Sequence, residues 1–177
     1  MSKIRLATVW LDGCSGCHMS FLDLDERLLD LADKIELVYS PLVDAKVFPE
    51  GVDVALVEGA VSSEEDLHKI QIVRDRTRVL VSLGDCAVTA NVPAMRNPFL
   101  TASVYDRAYR ENVTFDPGVP ERDVPALLPF VRPIHEIVPV DVFVPGCPPN
   151  ADVIHYVLSE LLGGRIPDVG VRTRFGA

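Results

Sequence analysis

The 177-residue chain lacks any apolar run approaching the roughly 20 residues that a helix needs to cross a bilayer, so no membrane span is expected. It also lacks a Lys/Arg-rich run, and its 17 basic against 26 acidic residues leave a net charge of −9. Such a surface repels phosphate backbones and acidic lipid, which makes nucleic acid a poor partner. No signal peptide or twin-arginine leader fits ahead of the strand-like run that begins near Lys3, and the expected location is the cytoplasm. Internal repeats and low-complexity tracts are absent. Cysteine is scarce, with four in all. In a reducing compartment, four thiols read as metal ligands or redox groups rather than as disulfides.

What is present is globular: 48% hydrophobic and 24% charged residues, in a length suited to one domain spanning 1–177. Short runs rich in Val, Ile and Leu read as strands buried on both faces of a parallel sheet: "IRLATVWL" (4–11), "IELVYS" (35–40), "VDVALVEG" (52–59), "RVLVSLGD" (78–85) and "VDVFVPG" (140–146). Between them lie helical patterns. Residues 17–33 read as one helix with Phe21, Leu24, Leu28 and Leu31 on a single face. "SSEEDLHKIQIVRDR" opens with a capping box formed by Ser62 and Glu65, and "NADVIHYVLSELLGG" runs from an Asn cap to Gly163-Gly164. The alternation predicts an α/β domain with a mostly parallel sheet flanked by helices. One segment stands apart, since residues 91–139 hold eight of the fourteen prolines and read as an irregular insertion. Its aromatic and aliphatic content, in "YDRAYRENVTF" and "VPALLPFV", exceeds that of a floppy loop and predicts a surface covered by a partner.

The chemistry lies with the cysteines. "CSGCH", residues 14–18, matches the attachment motif of a c-type haem, yet it also fits a redox dithiol, half a zinc site, or two ligands of an iron–sulfur cluster. Haem attachment belongs to exported proteins, which argues against the first. Cys14 and Cys17 follow the first apolar run, Cys86 follows the fourth and Cys147 the fifth. All four therefore fall beyond the carboxyl ends of predicted parallel strands, the edge where open α/β sheets bind ligands. A dithiol would leave Cys86 and Cys147 unexplained. Structural zinc usually takes paired knuckles of closely spaced ligands, whereas a 2+1+1 draw from three distant loops is commoner for clusters. Gly13, Gly16 and Gly146 directly precede a cysteine, and Gly84 stands two before Cys86. Residues without side chains let the backbone turn sharply, and their amides are expected to approach bound sulfur.

Taken in order, "LDGCSGCHMSFLD", "VEGAV", "GDCA" and "PGCPPN" resemble the small subunit of nickel–iron hydrogenases, most closely the short type of cytoplasmic NAD-reducing, bidirectional enzymes. The resemblance implies a flavodoxin-like domain in which Cys14, Cys17, Cys86 and Cys147 hold one proximal 4Fe-4S cluster. It also implies a large subunit carrying the nickel–iron centre, and iron–sulfur and flavin-containing diaphorase subunits that pass electrons to NAD. With no fifth cysteine, the chain has ligands for one four-cysteine cluster. The similar cluster-bearing subunit of respiratory NADH dehydrogenase is the nearest competitor, but it typically has adjacent cysteines where this chain has C-x-x-C. A zinc-binding module without enzymatic activity is the rival from another class. FMN is implied near this fold, yet cysteines occupy the loop after the first strand that would cradle its phosphate, so any FMN is expected elsewhere or at a subunit boundary.

Glu58 ends the third run and is expected on the cysteine edge, where its carboxylate could move protons or shape the loops. His18, beside a ligand cysteine, receives no assigned chemistry.

Overall fold

The structure is a computed structural model that describes residues 3–170 with 172 and 173. Its main sheet is built from β1 (Ile4–Trp10), β2 (Ile35–Tyr39), β3 (Val52–Glu58), β5 (Thr77–Leu83) and β7 (Val142–Val144). These five strands are all parallel, in the order β2-β1-β3-β5-β7. The unbroken apolar runs follow from two covered faces, because side chains alternate along a strand. Leu6, Val54, Leu56, Val81, Leu83, Val142 and Val144 share one buried cluster with Val153, Ile154, Val157, Leu158 and Leu161 of helix α6 (Ala151–Leu162). Ala7, Val9, Ala55, Val57 and Leu80 join the opposite cluster with Ile70 and Val73 of α3 (Glu64–Arg76). Full burial of each such aliphatic side chain contributes about 1.5–3 kcal/mol. The order is that of a flavodoxin-like fold, and because every pairing is parallel, all five carboxyl ends face the same edge.

Three expectations need correction. The helix over 17–33 is two helices, α1 (Gly16–Leu22) and α2 (Arg27–Ala32). Asp25 between them has φ 49°, and Asp25 N–H turns back to Leu22 O at 3.0 Å, as aspartate does more readily than most residues. Phe21, Leu24 and Leu31 are buried even so, and Leu28 packs against them. The capping box lies one residue later, with Ser63 capping α3 and Asp66 answering it: Asp66 N–H donates to Ser63 Oγ at 3.1 Å, and Ser63 N–H to Asp66 Oδ2 at 3.0 Å. Ser62 is drawn into a short strand instead, β4 (Val61–Ser63).

The proline-rich stretch, for its part, carries regular elements. Helix α4 (Asp85–Thr89) leads into a 3₁₀ turn at Pro93–Arg96, and α5 (Thr101–Asp106) continues through a π-helical turn at Arg107–Glu111. Strand β6 (Leu127–Arg132) pairs antiparallel with β4 in a ribbon of two, where both strands are edges and Pro129 is tolerated. Val92, Met95, Phe99 and Leu100 are exposed along this stretch. Among the described residues no helix is long and apolar enough to cross a membrane.

Candidate metal centre

Three loops at the carboxyl edge build the site. Beyond the end of β1, Leu11 N–H donates to Glu58 O at 2.9 Å, and Asp12 and Ala60 exchange backbone bonds of 3.1 and 2.7 Å. The loop carrying Cys14 is thus laid beside Glu58 and Gly59, and Cys17 sits in the first turn of α1. The loops after β5 and β7 are joined to each other. Gly84 N–H donates to Val144 O and Asp85 N–H to Gly146 O, both at 2.8 Å, while Gly146 N–H donates to Asp85 Oδ1 at 2.7 Å. Cys86 and Cys147 are thereby held side by side. The Cys147–Pro148 bond is cis. A further tie crosses the site, Ser20 Oγ donating to Pro149 O at 2.5 Å.

All four cysteines are free and line one cavity of about 70 Å³, together with Glu58 and Asp85. Cys14 and Cys147 are exposed at its mouth; Cys17 and Cys86 are half-buried. Among the described residues, no three His, Cys, Asp or Glu side chains are gathered as a single metal ion requires.

Gly84 and Gly146 do not aim amides at that space as expected, because their N–H groups are spent on stitching the two loops. Their value is room. A Cβ on Gly84 would fall 2.2 Å from Cys17 Sγ, and one on Gly146 would fall 2.6 Å from Pro149 Cα. Both have positive φ, 84° and 142°. Gly16 brings its backbone close to Cys14, where a Cβ would meet Sγ at 3.2 Å, and Gly13 packs against Gly59, its Cβ position 3.1 Å from that residue's Cα.

The surroundings disfavour bare thiolates. Cys17 is pushed far above the ordinary thiol range, first by burial, then by the charge of Glu58 and its hydrogen bond, then by Cys86 and Cys14. Cys86 is pushed up to about 11, first by burial and then by the charges of Cys147 and Cys14, a backbone bond from Val92 working the other way. Several thiolates here need positive charge between them, which bound iron would supply. The donor set therefore suits a cationic metal group.

Glu58 lies on the cysteine edge as expected, 2% exposed and lining the cavity. Nothing in the sequence announces its partner. His18 is also buried: its backbone N–H donates to Glu58 Oε2 at 2.9 Å, and its Nδ1 stands 3.1 Å from Glu58 Oε1. That second contact has ion-pair distance without hydrogen-bond alignment, and Nε2 finds no hydrogen-bond partner among the described residues. Two further residues escape sequence reasoning, Asp85 as the stitch between loops and Asn91, whose Nδ2 lies 3.8 Å from Cys147 Sγ. Its place directly before Cys86 is the only signal for the former.

Four convergent thiols on the carboxyl edge of a flavodoxin-like sheet define an α/β domain with a cysteine-lined cavity. The chain belongs to the family described as NADH ubiquinone oxidoreductase, 20 Kd subunit, which matches residues 14–161, and within it to the small subunits of NAD-reducing nickel–iron hydrogenases. It is 46% identical over 168 residues to the NAD-reducing hydrogenase HoxS subunit delta of Cupriavidus necator, covering 92% of this chain and 80% of that one. It is 36% identical over 166 residues to a subunit of the F420-non-reducing hydrogenase vhu of Methanocaldococcus jannaschii, covering 93% of this chain and 58% of that longer one. The crystal structure of an NAD⁺-reducing [NiFe]-hydrogenase in its H₂-reduced state contains a chain that superposes with TM-score 0.90 at 44% identity, covering 94% of this chain and 95% of that one. A [NiFeSe]-hydrogenase from Dm. baculatum, at TM-score 0.58 and 20% identity over 93% of this chain and 62% of that one, shares the fold.

Proposed function

We propose that this chain is the electron-transfer small subunit of an NAD-reducing nickel–iron hydrogenase, with Cys14, Cys17, Cys86 and Cys147 as ligands of one 4Fe-4S cluster. The observation that carries the reading is that four free cysteines from three distant loops line a single cavity, packed so closely that Gly84 admits no side chain beside Cys17. A 2+1+1 draw of thiols from three distant loops suits a polynuclear cluster better than structural zinc, which usually takes closely spaced ligand pairs. The bound cluster would supply one-electron storage between the nickel–iron site of a large subunit and a diaphorase that reduces NAD.

This chain's own residues hold and shield. Cys17 and Cys86 anchor from the half-buried side while Cys14 and Cys147 close the mouth. The loops after β5 and β7 fix two ligands by their mutual hydrogen bonds. Glu58 braces the start of α1 through His18 N–H, which places a carboxylate beside Cys17 as a proton acceptor or as a scaffold. FMN belongs at a boundary with the flavin subunit, because cysteines occupy the loop after β1.

The exposed side chains of Val92, Met95 and Phe99 line a groove of about 740 Å³ with Arg96 and Arg107, a few residues along the chain from Cys86. This groove fits cover by the large subunit, and co-expression should protect residues 91–139 from proteolysis that cleaves the isolated chain there. The deciding experiment is iron and sulfide analysis of anaerobically purified chain, with spectra before and after dithionite. Roughly four iron and four sulfide per chain with a reducible visible spectrum is the expected result. Zinc without sulfide would overturn it.

A further inference from the structure

We infer that the Asn91 carboxamide is a positioning residue for the bound cluster, an N–H donor to the Cys147 sulfur that raises the cluster's reduction potential. This rests on the four-cysteine reading above.

Helix α4 carries Cys86 and ends in an unusual reversal: Ala90 has φ 63° and Asn91 φ 22°, two consecutive residues with side chains on the left-handed side. An L-residue there costs roughly 1–2 kcal/mol, less for asparagine, so surrounding contacts must hold the turn. They do. Ala90 is buried at 2% exposure, its N–H donates to Cys86 O at 3.0 Å, and its own carbonyl accepts Ala94 N–H at 3.0 Å. The reversal points Asn91 across to the neighbouring loop, 56 residues along the chain, where Nδ2 lies 3.8 Å from Cys147 Sγ. The next residue, Val92, gives its backbone N–H to Cys86. One three-residue turn therefore serves the sulfurs of two different loops.

The chemistry sets the direction. A thiolate only accepts, and the carboxamide nitrogen only donates, so the amide meets the sulfur through N–H. Hydrogen bonds to cluster sulfurs are one of the protein's means of setting potential. A donor withdraws negative charge from the thiolate and so favours the more negative, reduced state. Asn91 is itself exposed, so its side chain adds little to the core.

The test is an EPR-monitored redox titration of the anaerobically purified complex carrying Asn91→Gly or Asn91→Asp, with iron and sulfide measured on the same samples. Glycine tolerates the positive φ and removes the carboxamide together with its methylene; aspartate keeps its shape but replaces the donor by a negative charge. The signal to follow is the one that disappears in Cys147→Ser. Both variants should keep full iron and sulfide, with the midpoint moved to more negative potential, further in Asn91→Asp than in Asn91→Gly. A loaded cluster whose midpoint is unmoved or more positive in either variant overturns the role of Asn91 alone. A complex in which Cys147→Ser removes no signal, iron or sulfide overturns the four-cysteine reading itself.

Discussion

Replacing Gly84 by alanine puts a methyl group into the space that the Cys17 sulfur occupies. The new Cβ would stand 2.2 Å from Sγ, whereas ordinary contact starts at 3.4 Å. The sulfur, the helix start that carries it, or the β5 loop must therefore give way by about 1 Å, several times the ~0.2 Å within which a ligand must hold its distance to a metal. The backbone adds a second cost, because φ 84° and ψ 161° lie in a region that only glycine enters freely, at roughly 1–3 kcal/mol for another residue. Two other glycines separate these effects. Gly164 has φ 72° with nothing within 4 Å of its Cβ position, and Gly118 has open space without the positive φ. Gly118→Ala should change nothing. Gly164→Ala should lose about 1 kcal/mol, or roughly 2–4 °C of melting temperature for a chain of this size, with normal iron and sulfide. Gly84→Ala should lose at least as much stability and most of its iron and sulfide as well. Thermal melts and metal analysis on the three variants read both quantities. Full iron and sulfide in Gly84→Ala would refute the argument that Cys17 is a ligand held against Gly84.

Four further outcomes follow from the same geometry. Cys86→Ser and Cys147→Ser should abolish iron and sulfide as completely as Cys14→Ser and Cys17→Ser, since an alcohol oxygen is a poor substitute for thiolate on iron; normal content in any one removes that position from the site. After iron is removed with a chelator, alkylation at pH 8 should be fast at exposed Cys14 and Cys147 and slow at Cys86. With its pKa pushed up to about 11, Cys86 is only about one-thousandth thiolate at pH 8, and its rate should climb roughly tenfold per pH unit toward 11; equal rates at all four by mass spectrometry would contradict the burial described. Glu58→Gln keeps an oxygen for His18 N–H but loses the charge, so the cluster should be retained with altered redox behaviour or slower hydrogen-dependent NAD reduction; if neither changes, Glu58 is scaffold. Ser63→Ala removes the cap of α3 and should cost about 1 kcal/mol, seen as a melting point lower by a few degrees with unchanged iron content.

The five apolar runs correspond to the five strands of the sheet because burial on both faces leaves a dense local signal, as in "VDVALVE". Boundaries are harder where acids cluster: "LDLDER" reads as helix by periodicity, and only the local turn at Asp25 breaks it. The pairing of β4 with β6 joins segments more than 60 residues apart through two short strands, one containing Pro129, and no local pattern announces it. At the site, each cysteine is legible from its place after a strand. What sequence order hides is lateral: β1 lies beside β3 with Trp10 opposite Glu58, and this register sets His18 against the carboxylate. The glycines are legible as positions, but whether an amide faces a ligand or a neighbouring loop depends on the contact between the β5 and β7 loops.

The site also has a timetable. Cys17 sits in the first turn of α1, soon after β1, and Cys147 follows β7, the shortest strand of the sheet, joined to β5 by three residue pairs. At about 5–20 residues per second, a ribosome needs roughly 7–26 s to make the chain between them. Throughout that interval the earlier thiols stand without the fourth, open to oxidation. Because β7 closes the last wall, a cluster held by the four proposed ligands could load only after the chain has passed it. Such a group, gripping all three loops, would tie the shortest strand to the rest, and its insertion would double as the quality check that the sheet is complete.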